Sequence, residues 1–339
     1  MSSSLPGNRA LPESRYDLGT YWGRVRHAAD ISDPRTLLAG TKGLEQAKQL
    51  VMAYKAGQME DMTPELWHAK KIVDSTLHPD TGEPVLLPFR MSCFVLSNLV
   101  VTAGMLTPGL GTAGTLAWQV VNQSLNVAIN SSNANKSSPM TTAMLAKSFA
   151  LAVGASCTVA GGLKTLVPYI KAPPRVKLIA DRLVPFFAVV SAGVVNVYVM
   201  RAEERRTGID VFPALSASDI EDLEAQGKSV KDIPSLGKSK IAADRAVRET
   251  AISRCVSATP IMAIPPLILV QLQQKKWLKG NMKRAMAVNV GLIGLTSVFA
   301  LPLALGVFPA KQTVPATLLG SEFHDRGGTS GMVTFNRGL

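Results

Sequence analysis

No aspartate or glutamate occurs from Pro84 to Ala180, and none from Thr250 to Ser321. A soluble fold of 339 residues solvates its surface with charges of both signs, so acid-free stretches of this length exclude an ordinary soluble core there. Cysteine is nearly absent: Cys93, Cys157 and Cys255 each sit in or beside an apolar run, which excludes a disulfide-stapled secreted module. The four histidines, His27, His68, His78 and His324, all lie outside those runs, so haem or di-metal ligation inside a membrane has no imidazole set to draw on. There is no P-loop, no His-Glu-x-x-His, no Cys-x-x-Cys and no Gly-x-Ser-x-Gly, so neither an enzyme nor a cofactor signature is present. Charged residues make up 18% of the chain against 47% hydrophobic, with mean hydropathy +0.18, which excludes intrinsic disorder.

What charge there is sums to +12, and its placement matters more than its size. From Met1 to Arg90 eleven basic residues balance eleven acidic ones, and from Arg201 to Arg254 ten balance ten. The surplus comes mainly from Lys164–Arg182 (five basic, one acidic) and Lys275–Arg284 (five basic, none acidic). Both are short and lie between long apolar runs, a pattern of membrane topology rather than of nucleic-acid binding.

Six apolar runs stand out: Cys93–Pro108, Thr112–Asn130, Ala143–Leu163, Leu183–Met200, Cys255–Leu272 and Met286–Phe308. A bilayer core of ~30 Å needs about 20 helical residues. The first run is short by that measure and the second is polar for a span, whereas the other four are long and acid-free. Helices of a soluble core carry a polar stripe, and Phe186–Met200 and Met286–Phe308 have no charged one. The expectation is an all-α, polytopic membrane protein with about five transmembrane helices. Its expected divisions are an N-terminal soluble helical region (1–90), a first group of membrane helices (91–200), a polar loop with a basic helix (201–254), the last membrane helices (255–310) and a C-terminal tail (311–339). The two basic loops lie one hairpin apart and so share a face. The N-terminus has neither a secretory apolar core nor an acid-free presequence, so targeting information is expected inside the spans.

Outside the membrane runs, Asp33-Pro34 and Thr63-Pro64-Glu65 each read as an N-cap followed by proline in the first turn of a helix. Leu44, Ala47, Val51 and Tyr54 then share a face of one helix, and Leu66, Trp67, Ile72 and Val73 supply the apolar positions of the next. Thr207–Lys240, rich in Ser, Gly, Asp and Lys, reads as a solvated loop. Ile241–Arg254 reads as a helix carrying Arg245, Arg248 and Arg254. It suits anionic lipid headgroups, cardiolipin included, or equally a surface helix salt-bridged through Asp244 and Glu249.

The second apolar run concentrates polarity. At ~100° per residue, Asn122, Asn133, Asn126, Gln119 and Asn130 fall at about 0°, 20°, 40°, 60° and 80°, with Gln123 adjoining. Carboxamides donate and accept hydrogen bonds without net charge, which suits a small zwitterionic solute; the bland reading is interhelical glue at ~0.6 kcal/mol per contact. His78-Pro79-Asp80-Thr81-Gly82-Glu83 reads as a defined turn or gate, since Pro79 fixes φ and Gly82 can take φ > 0. One imidazole beside Asp80 and Glu83 matches no closed metal site. Pro260, Pro265 and Pro266 break the fifth run, where freed backbone groups can join a site at mid-membrane. Lys147 is the one charge well inside an apolar run, placed to snorkel or to meet a substrate carboxylate.

These residues in this order, with Leu66-Trp-His-Ala-Lys70, Arg90-Met-Ser92, Trp118-Gln119, Asn122-Gln-Ser124 and Met262-Ala-Ile-Pro-Pro266, make the chain similar to the sideroflexins from about Tyr16 to Leu319. The resemblance implies a multi-pass carrier of the mitochondrial inner membrane, moving serine or other small neutral amino acids for one-carbon metabolism, without catalysis and without a cofactor. Membrane scaffolding or assembly, and less so iron or haem handling, are its alternatives. Asn130-Ser-Ser-Asn133 and Val120 depart from the family's usual aromatic-containing pattern, and the long acidic loop from Ser216 to Lys240 resembles a fungal branch.

Overall fold

A computed structural model describes residues 5–7, 9, 11–78, 81–90, 93–132, 141–215, 219, 233–309, 311–324, 326, 328 and 331–337, with the side chain of Asn130 left aside. The architecture is mostly helical, as the apolar and amphipathic runs imply. Two compact units divide the chain, one of Met1–Ala192 with Val256–Val307, the other of Gly193–Cys255 with Phe308–Leu339.

The first unit opens with helices α1 (Tyr21–Ile31), α2 (Gly40–Lys55) and α3 (Pro64–Thr76). Thr63 caps α3 by accepting from the Leu66 N–H, with Pro64 in the first turn. Asp33 caps in the same way, accepting from the Arg35 N–H, but the segment it starts is a 3₁₀ helix, Pro34–Ala39; α2 begins only at Gly40, where φ is +60°. Leu44, Ala47, Val51 and Tyr54 bury against Leu66, Ile72 and Val73 as expected, with Ala69 in the cluster in place of Trp67, which is half-buried outside it. Lys71 bridges Asp30 at 3.0 Å and Asp33 at 2.8 Å, tying α3 to the 3₁₀ turn.

The membrane helices follow as α4 (Phe94–Met105), α5 (Thr112–Ser132), α6 (Thr142–Leu166) and α7 (Pro174–Met200). Four helices among the described residues are long and apolar enough to cross a bilayer: Thr142–Tyr169, Pro174–Met200, Lys240–Leu272 and Met282–Leu305. At 12 residues α4 is short for a crossing, and α5 has the length at 21 residues but is more polar than the four. Small side chains let α6 and α7 approach closely, with Ala160, Val184 and Ala188 fully buried.

The second unit contains a four-stranded antiparallel sheet that the sequence pattern does not announce. Strands β1 (Ile209–Pro213), β2 (Gly237–Ser239), β3 (Lys311–Pro315) and β4 (Met332–Asn336) lie in the order β2-β1-β4-β3. The expectation of a plain solvated loop over Thr207–Lys240 is therefore corrected: its ends pair through Ile209↔Ser239 and Val211↔Gly237. Between Met200 and β1 lies the short α8 (Ala202–Thr207). Helix α9 (Lys240–Met262) starts where Ser239 Oγ accepts from the Ala242 N–H, and it buries Ala242 and Ala246 against Val211, Val314, Val333 and Phe335 of the sheet. Arg201 ties this unit together, donating to the Arg337 carbonyl at 2.6 Å and to Thr250 Oγ1 at 3.2 Å.

The membrane part of the first unit is completed by α10 (Ile264–Leu272), α11 (Met282–Leu295) and α12 (Leu301–Leu305). The expected break in the fifth run falls at Ala263, directly before the prolines of α10, whereas Pro260, also expected to break it, lies inside α9 without ending it. A π-turn, Thr296–Ala300, precedes Pro302, which lacks the N–H that an unbroken helix would need there.

Candidate functional site

The carboxamide stripe of α5 faces inward. Gln119 is 0% exposed, Asn122 5% and Gln123 6%, whereas Val120 and Val121 on the other side are exposed. Asn126 is half-buried; the side chain of Asn130 and the whole of Asn133 lie outside the described residues. Helical arithmetic thus places Gln119 and Asn122 correctly, and Gln123 at the stripe's margin is buried with them. Among the described residues, neither Gln119 Nε2, Gln119 Oε1 nor Asn122 Nδ2 has a hydrogen-bond partner. A buried polar group left so costs about 1–3 kcal/mol, which glue would not leave unspent.

Another buried carboxamide, which the sequence reading did not single out, lies on α11. Asn289, 1% exposed, donates from Nδ2 to the Leu106 carbonyl at 3.0 Å, and its Oδ1 has no partner among the described residues. Leu106 is the C-cap of α4, where the carbonyl has no helical donor. One half-turn back along α4, Gly104 packs on the indole of Trp118, the neighbour of Gln119. Trp118 and Asn289 are therefore both tied to the C-terminal end of α4. The signal for Asn289 was available in principle, as the lone carboxamide in the apolar run Met286–Phe308.

Beyond this level lies a charged cluster. Lys164 donates to Asp181 Oδ1 at 2.7 Å and to the Leu110 carbonyl at 3.1 Å, and Arg182 Nε is buried without a partner among the described residues. With Leu106, Thr115 and Pro185 they line a cavity of about 20 Å³, room for about one water. Pro185, inside α7, has no N–H to donate to the carbonyl of Asp181 four residues earlier.

The His78–Glu83 segment is a tight hairpin. Leu77 bridges Pro84, the His78 N–H donates to the Glu83 carbonyl at 2.9 Å, and the Gly82 N–H donates to the His78 carbonyl at 3.0 Å. Gly82 sits at φ +67°, the left-handed region that glycine tolerates best. The Thr81 N–H points to His78 Nδ1, and the His78 side chain is buried; Pro79 and Asp80 lie outside the described residues. Among the described residues, no three His, Cys, Asp or Glu gather to hold a metal ion.

Comparison with known proteins extends the motif resemblance to the whole chain. The family model described as Sideroflexins matches residues 10–339. Sideroflexin FSF1 of Saccharomyces cerevisiae is 55% identical over 100% of both chains, and Sideroflexin fsf1 of Schizosaccharomyces pombe is 54% identical over 97% of this chain and 98% of its own. Human Sideroflexin-3 is 36% identical over 99% of each. No solved structure matches. With its apolar crossing helices and this match over nearly its full length, the chain belongs to the sideroflexin family.

Proposed function

We propose that the protein is a carrier of small neutral amino acids, serine foremost, in the mitochondrial inner membrane, where it supplies one-carbon metabolism. The observation that carries this reading is the buried set of unpartnered carboxamide atoms on Gln119, Asn122 and Asn289. Serine offers an ammonium, a carboxylate and a hydroxyl, and each can satisfy an amide that the protein leaves unsatisfied. Lys164, Asp181 and Arg182 stand at the mouth, where a zwitterion can exchange partners with an existing ion pair. Asn126, Asn130 and Asn133 continue the pathway, the His78–Glu83 hairpin acts as a gate, and the Pro260–Pro266 break supplies backbone groups near mid-membrane. Long acid-free stretches across these helices favour uniport or exchange over coupling through a buried carboxylate. The sideroflexin resemblance supports the location and the substrate class.

The test is serine uptake into proteoliposomes containing this protein alone. Gln119→Leu and Asn122→Leu are expected to lower uptake at least about tenfold while keeping or raising the melting temperature, because each removes an unsatisfied buried group. Absence of uptake by the unmodified protein, or full uptake by both variants, sinks the carrier reading. Lost uptake together with a clear loss of stability would instead identify the stripe as packing for partner helices, the scaffold reading.

A further inference from the structure

A further cavity lies in the second unit. It is an open groove of about 690 Å³, formed by Arg205 of α8 and by Lys240, Ile241, Asp244, Arg245, Arg248, Glu249 and Ile252 of α9. Its two carboxylates are already engaged: Asp244 holds Arg205 at 2.8 Å, and Glu249 holds Arg245 at 3.1 Å and Gln312 at 2.9 Å. That leaves Lys240 and Arg248 with no carboxylate partner among the described residues. Four cations against two carboxylates give the groove a charge of two positive units, carried by groups about 12 Å apart along the helix at ~1.5 Å per residue.

The same face carries apolar side chains at each end. Ile241, Arg245, Arg248 and Ile252 follow the spacing i, i+4, i+7, i+11 and so form one stripe, about 110° round the helix from Ala242 and Ala246, which pack on the sheet. Ile241 is 52% and Ile252 50% exposed. The groove residues of α9 lie in the N-terminal part of Lys240–Leu272, a stretch long and apolar enough to cross a bilayer. Cations between apolar ends beside a bilayer match one ligand chemistry: phosphate groups attached to acyl chains.

We propose that this groove binds the headgroup of an anionic phospholipid bearing two phosphates, with Lys240 and Arg248 as its charge contacts and Ile241 and Ile252 against its acyl chains. The salt-bridged pairs Arg205–Asp244 and Arg245–Glu249 position the groove and leave its net charge to the other two cations.

The experiment uses the full chain in nanodiscs of phosphatidylcholine with or without diphosphatidylglycerol, counting co-purifying lipid by native mass spectrometry. Lys240→Gln with Arg248→Gln is expected to lower affinity for diphosphatidylglycerol about thirtyfold, two surface charges' worth. Lys276→Gln with Lys279→Gln, in the other basic loop, should leave it unchanged, and Lys240→Arg with Arg248→Lys should retain it. The melting temperature in pure phosphatidylcholine checks that each variant folds. Equal binding by all variants overturns the proposal, as does an equal fall in both glutamine pairs, which would mean a diffuse charge effect. Full displacement of the lipid by inorganic phosphate would mean a soluble-anion site. A Lys240/Arg248 variant that keeps its lipid but loses self-association would make the groove an interface between copies.

Discussion

Gly104 lies so close to the indole of Trp118 that a methyl group on it would come within 2.3 Å of two ring carbons. Replacing a helical glycine by alanine normally stabilises by about 1 kcal/mol through backbone entropy. Here the contact reverses the sign, since overpacking costs about 1–3 kcal/mol. Gly104→Ala is expected to lower the melting temperature in nanodiscs, and adding Trp118→Leu to recover most of the loss. A Gly104→Ala protein more stable than the original would show that α4 and α5 do not pack in this way.

The α1–α3 region is expected to weaken in acid in two steps. Hydrogen bonding from Arg35, aided by Lys71, holds the Asp33 carboxyl well below the usual carboxylate range. Burial first, then the nearby Lys70, lowers the His27 imidazole. Both groups thus bind protons more readily when unfolded, so each adds stability above its unfolded value and loses it as pH falls toward its folded one. The His27 contribution begins to fade below pH about 6.5, and that of Asp33 below about 3.9. Hydrogen exchange of α2 and α3 against pH should show both declines, with His27→Gln removing the first and Asp33→Asn the second.

Helix α1 is held at the end of α12 by groups that satisfy carbonyls a helix terminus leaves open. Arg24 Nε donates to the Gly306 carbonyl at 2.8 Å, and the Tyr21 hydroxyl donates to the Leu303 carbonyl at 3.0 Å. A side chain at Gly306 would strike Val25 Cγ2 at 2.5 Å. Arg24→Ala is expected to cost about 1.5–3 kcal/mol and Tyr21→Phe about 1 kcal/mol. Limited proteolysis should then cut α1 sooner in both, and soonest in Gly306→Leu; equal rates in all variants would show that α1 is not docked there.

Much of the helical organisation was legible because its causes are local. Asp33 and Thr63 announce their caps, Ala263 breaks where the following prolines demand it, and Gln119 and Asn122 share a face by 3.6-residue arithmetic alone. The sheet was not legible because its pairing is non-local: Val211 meets Phe335 across most of the C-terminal third, and β2 has three residues. Strands that short carry too little period-2 pattern to stand out from loop composition. Asn289 escaped for a related reason. Its partner is the Leu106 carbonyl, an acceptor created only when α4 ends, and no side-chain pattern reports it.

That contact gives the sharpest contrast with the carboxamides of α5. Asn289 donates one hydrogen bond, to Leu106, so Asn289→Leu strands that carbonyl and should cost about 1–3 kcal/mol, whereas Asn122→Leu removes an amide whose Nδ2 has no partner among the described residues and should cost nothing or stabilise. Both changes face the same proposed pathway, and both should depress serine uptake. The two variants therefore move together in transport and apart in stability, measured as proteoliposome uptake beside melting temperature in nanodiscs. If both lose stability to the same extent, the carboxamides are interhelical glue. If Asn289→Leu alone loses it, Asn289 joins structure to pathway, fixing the end of α4 with one amide atom and offering the other to the solute.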